Sequence, residues 1–255
     1  MPRGMAAERR RVNRSGVARP RSMSHHAAMS ATRIAPKYLW LFGLAVLAGV
    51  TFKLVDRPPT PTTAWVAWKA TCVVLLAIWA ALNARDRSGW IFVAVMVFGA
   101  IGDVVLEYSR TWGGIGFLAG HLSAVWLYLT HRRAKPSPSQ VGLSVVLLGA
   151  IPLIAFLLPS DRAAAPGVAL YASGLGAMAA SAWISRFPRY RVGIGALAFA
   201  ASDLLIFAQL GPLADSWIPR LLIWPLYFGG QALVAWGVVS SLARWRDNDD
   251  LHHRL

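Results

Sequence analysis

The sequence predicts an all-α fold: a polytopic bundle of about eight membrane-spanning helices, readable as two four-helix halves. Three observations carry that expectation. The 255 residues are 56% hydrophobic, with a mean hydropathy of +0.48 and only 15% charged side chains, which is too apolar for a water-soluble domain of this length. The apolar residues gather into runs of about 20, the length that crosses the hydrocarbon core of a bilayer. The basic residues between the runs are sharply sided. Because backbone groups in lipid must be satisfied internally, and the alternation of barrel strands is missing, the runs have to be helices.

Runs bounded by charges, Pro and Gly lie near 38–55, 64–82, 89–108, 113–130, 141–158, 165–185, 192–211 and 217–241. They define a transmembrane domain over 38–242, with a basic, disordered tail over 1–37 and a short polar tail over 243–255. The N-terminal tail is Arg-rich with Glu8 as its one acid, and so is also similar in composition to a transit peptide. Twenty Lys and Arg fall on one side of the membrane: nine in the N-terminal tail, then Arg85 and Arg87, then Arg132, Arg133 and Lys135, then Arg186, Arg189 and Arg191, then Arg244, Arg246 and Arg254. Five fall on the other, namely Lys53, Arg57, Arg110, Arg162 and Arg220, while Lys69 lies inside a run. The positive-inside rule then puts both termini in the cytoplasm. Adding or removing one span in the middle would destroy this asymmetry, so it also favours an even count.

A net charge of +15 raises nucleic acid as a partner, but the Lys and Arg are spread between apolar runs and in a tail instead of forming one folded basic face, so no nucleic-acid binding is expected. The single cysteine, Cys72, stands in an apolar run, which excludes a disulfide framework or a cysteine-based zinc site.

An ionisable side chain at the centre of a spanning helix costs roughly 2.5–3.5 kcal/mol on insertion scales, so those that occur normally face the bundle interior and have a use. Lys69, Asp103, His121 and Asp203 lie within the runs, and Glu107 lies near a helix end. Lys69 can also be read as a residue snorkelling to the surface, and Glu107 as an interfacial one. His121 can be read as a buried hydrogen-bonding residue, and Tyr227 with Gln231 as helix-binding polar residues. The aspartates are too short to snorkel far. Asp103 and Glu107 are four apart and share a helix face, as do Tyr227 and Gln231. The topology puts Lys69, Asp103, His121, Asp203 and Tyr227 at similar depth, about 8–15 Å from the non-cytoplasmic helix ends at ~1.5 Å per residue. Five helices could therefore line one cavity. Gly116 and Gly120 form a small-xxx-small pair that lets the third and fourth helices approach closely. Gly102-Asp103-Val104-Val105-Leu106 and Ser202-Asp203-Leu204-Leu205-Ile206 share a small-Asp-apolar pattern at equivalent places in the two halves.

Four segments, Phe98–Leu106 (FGAIGDVVL), Phe117–His121 (FLAGH), Gly195–Asp203 (GALAFAASD) and Tyr227–Leu233 (YFGGQAL), resemble in order and spacing the YhhN family of membrane lysoplasmalogenases. The resemblance covers roughly residues 38–242. It implies an eight-span hydrolase that cleaves the vinyl ether bond of lysoplasmalogens, with a lysophospholipid as substrate and the bilayer as surroundings. It implies catalytic roles for Asp103 and Asp203 and matches Lys69 and His121 to supporting positions. Tyr227, Gln231 and Glu107 complete the candidate substrate-binding or supporting set. The proline that often follows the lysine is missing here, where Ala70 and Thr71 stand. The expected placement is multi-pass in a bacterial cell (inner) membrane.

Vinyl ether hydrolysis needs one carboxyl that gives a proton to carbon and one carboxylate that stabilises the resulting cation and activates water, and two buried aspartates meet both needs. The sequence does not say which aspartate is the acid. The same residues also suit a proton-coupled transporter of a small molecule or lipid. A zinc-dependent amidase would need about three clustered ligands, and the spans offer His121 as their one histidine, so no metal and no cofactor are expected.

Overall fold

The computed structural model describes residues 38–55 and 58–252. The expected tail over 1–37 lies outside them, as do residues 253–255. Among the described residues there is no β-strand, and eight apolar α-helices follow one another: α1 Leu39–Lys53, α2 Thr63–Asn83, α3 Arg87–Leu106, α4 Arg110–Thr130, α5 Pro138–Leu157, α6 Ala165–Ile184, α7 Ile194–Ala208 and α8 Trp217–His252. Seven are long and apolar enough to cross a membrane, α7 together with the π-helical turn Arg189–Gly193 that precedes it. The protein is a multi-pass helical membrane protein.

The first expected span, 38–55, is realised as a shorter helix. Fifteen residues at ~1.5 Å each give about 22 Å, less than the ~30 Å of a hydrocarbon core. Its C-terminal end is pinned by Lys53, whose ammonium donates to the Arg220 carbonyl on α8 at 2.7 Å. At the other end of the chain, α8 runs past the expected end of the apolar segment to His252. Hydropathy fails there while the helix does not, because Arg246 pairs with Asp86 at 3.2 Å and Trp245 stacks on His131.

Helix starts are written locally. The side chains of Thr62, Asp86 and Ser109 accept from backbone N–H groups at the third position of α2, α3 and α4, and Ser137 with Gln140 forms a full capping box at α5. Each satisfies orphan donors that lipid could not. Outward faces are apolar, with Trp40, Val145, Leu153 and Leu170 exposed along the belt, and Trp90, Trp112 and Trp217 near helix ends where amphipathic rings favour the interface.

The two halves repeat one pattern of neighbours. α1–α2, α2–α3 and α3–α4 touch in the first, α5–α6, α6–α7 and α7–α8 in the second, and the halves meet through α4–α6 and α2–α8, which are equivalent pairs. Glycines set the closest approaches. A Cβ at Gly116 would lie 3.2 Å from the Gly102 Cα, so α3 and α4 touch backbone to backbone as the small-xxx-small pair predicts. In the second half a Cβ at Gly195 would fall 2.7 Å from the Gly230 carbonyl, which brings α7 equally close to α8.

Candidate functional site

The glycine contacts decide which polar side chains can meet. Gly102 leaves room on α3 for the Phe117 ring beside Asp103, and a Cβ at Gly99 would press on the Gln231 amide at 3.2 Å. With those positions bare, α4 and α8 lay side chains against the α3 aspartate.

Asp103 is 2% exposed and is held from two helices. Lys69 of α2 brings its ammonium to 3.4 Å from Asp103 Oδ1, Tyr227 of α8 donates a short hydrogen bond to Oδ2, and Gln231 donates to the Tyr227 hydroxyl at 2.9 Å. Lys69 also pairs with Glu107 at 2.6 Å. The snorkelling reading of Lys69 and the interfacial reading of Glu107 are both excluded by this geometry. Their side chains are 11% and 5% exposed, and each is turned inward onto the other.

Asp203, 6% exposed, anchors the equivalent group in the second half. The Tyr171 hydroxyl of α6 donates to Asp203 Oδ2 at 2.6 Å, Ser202 approaches Oδ1 at 3.4 Å, and His121 Nε2 of α4 stands 3.0 Å from the Tyr171 oxygen. The tyrosine has one hydroxyl hydrogen, and it is directed at the carboxylate. His121 is then the donor to the tyrosine oxygen through Nε2–H, which leaves Nδ1 as an acceptor.

The five residues expected to line one cavity thus fall into two hydrogen-bonded groups. Lys69, Asp103 and Tyr227 belong to one, His121 and Asp203 to the other. Between them lies an aromatic contact set: Phe199 packs on Tyr227 at 5.1 Å and on His121 at 5.2 Å, and Phe117 touches both Phe199 and Tyr227.

The arrangement is crossed. In the first half the residue on the second helix (Lys69) meets the aspartate on the third, and the fourth helix of the other half completes the group with Tyr227. In the second half Tyr171 and Asp203 take the same places, completed by His121 from the first. Tyr171 was not among the candidates read from sequence, although it is the seventh residue of α6 as Lys69 is of α2. That shared place was the available signal.

Among the described residues no three or more His, Cys, Asp or Glu side chains converge so as to hold a metal ion. What the site offers instead is an ion-paired carboxylate, a second carboxylate held by neutral hydroxyls, and a histidine linked to the latter through a tyrosine.

Two curated relatives, each called lysoplasmalogenase, from Mycobacterium bovis and Mycobacterium tuberculosis, are 33% identical to this chain over 150 residues. The match covers 55% of this chain and 57% of each relative, so the chain matches little more than half of their length. No solved structure matches the chain. The family model described as YhhN matches residues 64–238, a stretch that begins with α2 and contains every site residue from Lys69 to Gln231. The chain belongs to the YhhN family.

Proposed function

We propose that this protein is a membrane hydrolase that cleaves the vinyl ether bond of lysoplasmalogens to a fatty aldehyde and a glycerophospho-alcohol. The observation that carries the proposal is the pair of buried, differently partnered aspartates in a family whose matched relatives bear the name lysoplasmalogenase. Asp203 is buried with no ion pair among the described residues, an environment that suits a carboxylic acid. Asp103 faces the Lys69 ammonium, an environment that suits a carboxylate.

In this reading Asp203 gives its proton to the vinyl carbon one removed from oxygen, and the π electrons form the new C–H bond. The positive charge that develops on the adjacent carbon and the ether oxygen is stabilised by the Asp103 carboxylate. Water adds to the cationic carbon and loses a proton to a carboxylate, giving a hemiacetal. The hemiacetal hydroxyl then gives its proton to the carboxyl pair of Asp203 and Asp103 as the carbon–oxygen bond breaks and the pair delivers one to the departing glycerol oxygen, which releases the aldehyde. One water is consumed and both carboxyls return to their starting states. Tyr171 and His121 orient Asp203 and offer a path by which its proton is restored, while Lys69 serves as counter-ion to the Asp103 carboxylate.

Aldehyde release from a lysoplasmenyl lipid by purified protein in detergent is the test. Turnover without a gradient supports hydrolysis. No aldehyde from any vinyl ether lipid would favour the transporter, a reading that the repeated helix pairing of the two halves also fits. Tyr171→Phe should keep the fold and lose about 10- to 100-fold in kcat, because its hydrogen bond strengthens as Asp203 gives up its proton, and a bond to a buried charged group is worth about 1.5–3 kcal/mol. Full activity in that variant would remove Tyr171 from the site.

For orientation we infer both termini on the cytoplasmic side, in a cell (inner) membrane. Reporter fusions after Arg85, Arg133 and Arg189 should all read cytoplasmic, and a single external reading would overturn the topology.

A further inference from the structure

At the opposite end of the bundle from the aspartates, two basic loops are joined. The α4–α5 connection and the segment between α6 and the π-helical turn are tied by an antiparallel bridge between Arg132 and Ser185. Its backbone bonds run from Arg133 N–H to the Ile184 carbonyl at 3.1 Å and from Arg186 N–H to the His131 carbonyl at 2.7 Å. Phe187, fully buried against Tyr128, His131 and Trp245, anchors the second loop. The positions of Arg133, Arg186 and Arg189 are therefore set by backbone pairing and a buried ring, which free loops would not provide.

Arg186 and Arg189 both act on Arg133 as like charges. Burial, and then the like charges of Arg189 and Arg186, press the pKa of Arg133 below its ordinary value. The Arg133 Nε–H is buried with no hydrogen-bond partner, and its one hydrogen bond is a long 3.4 Å contact from Nη2 to the Phe187 carbonyl. The ion pair at this end is used elsewhere, between Arg246 and Asp86. Arg186 lies over the Trp245 ring at 5.0 Å, at the edge of a cleft of about 300 Å³ that His131, Arg246 and Asp249 also line. Topology alone explains basic residues near helix ends. It does not explain why three of them converge on a fixed scaffold with a buried donor left open.

We propose that Arg133, Arg186 and Arg189 form a binding site for a phosphate group, that of an anionic phospholipid headgroup or of free phosphate. A tetrahedral phosphate accepts from several guanidinium N–H groups at once, would take up the open Nε–H, and would offset the mutual repulsion. The site sits where basic loops meet a leaflet surface, so a phosphodiester headgroup can reach it without leaving the bilayer. It is independent of the hydrolytic reading, since none of its residues touches the aspartate groups.

The test is thermal unfolding of the full chain in a neutral detergent, with phosphatidylglycerol or phosphatidylcholine added in mixed micelles, and separately with sodium phosphate against sodium chloride at matched ionic strength. Phosphatidylglycerol should raise the wild-type midpoint by roughly 5 °C or more and phosphatidylcholine should not. Arg133→Gln and Arg189→Gln should each lose that rise, while Arg244→Gln, which removes one charge from the same end of the bundle, should keep it. Without added anion Arg133→Gln should unfold no earlier than wild type, because it relieves a repulsion. Should Arg133→Gln fail to fold, Arg189→Gln carries the comparison. A rise with sodium phosphate equal to that with phosphatidylglycerol would support the site with a soluble ligand. No rise with either, or a rise that all three variants keep, would overturn the proposal.

Discussion

Asp103→Asn and Asp203→Asn should each fold and insert normally and each lose at least ~10²-fold in turnover, the low end of what removal of an acid or base costs. Asparagine keeps the size of the side chain and can still accept a hydrogen bond, so Tyr227 and Tyr171 retain an oxygen to donate to. What is lost is the proton at one position and the negative charge at the other. If the two act in one reaction, as proposed, the double variant should be little worse than the worse single. The crossed arrangement sharpens the expectation: Asp203→Asn disturbs a group of neutral partners, so its stability should change little, whereas Asp103→Asn takes away a charge that Lys69 faces. Aldehyde release per folded protein is the measure. Near-full activity in both well-folded variants would take the aspartates out of the chemistry.

The fold and most residues of the candidate site were legible because a bilayer makes polarity conspicuous. A charge inside an apolar run has few readings, so Lys69, Asp103, His121 and Asp203 stood out, and seven of the eight runs match helices that end within a few residues of the expected bounds. Tyr171 did not stand out, since tyrosine is ordinary in spanning helices and its hydroxyl carries no charge to mark it. Its role follows from a three-dimensional fact, that α6 meets α4 and α7 where α2 meets α8 and α3. Glu107 was ambiguous for another reason. A carboxylate one residue beyond a helix end can face water or the bundle with the same sequence around it, and the 2.6 Å contact with Lys69 decides between them. The continuation of α8 was hidden because charged residues end a hydropathic run without ending a helix. Nor does the sequence announce that five lining residues would divide into two groups, for that depends on the rings of Phe117 and Phe199 lying between them.

Lys69→Met should be the most destabilising single change at the site. The Lys69 ammonium is the shared partner of Asp103 and Glu107, and all three side chains are 11% exposed or less. Removing one member of a buried ion pair leaves an uncompensated charge and costs about 3–5 kcal/mol. For a chain of this size that corresponds to a fall in the unfolding midpoint on the order of 10 °C. Glu107→Gln alone should cost much less, because the lysine keeps Asp103 and the glutamine can still accept from it. The informative variant is the pair. If the cost of Lys69→Met comes from excess buried negative charge, then Lys69→Met with Glu107→Gln should recover part of the lost midpoint, since one of the two carboxylates that faced the ammonium is gone. Activity should stay low in the paired variant even as stability returns, because Asp103 has lost its counter-ion. Thermal unfolding in detergent, read beside aldehyde release, separates the two effects. A Lys69→Met protein that unfolds within a degree or two of wild type would show that the ion pair does not hold this part of the bundle together.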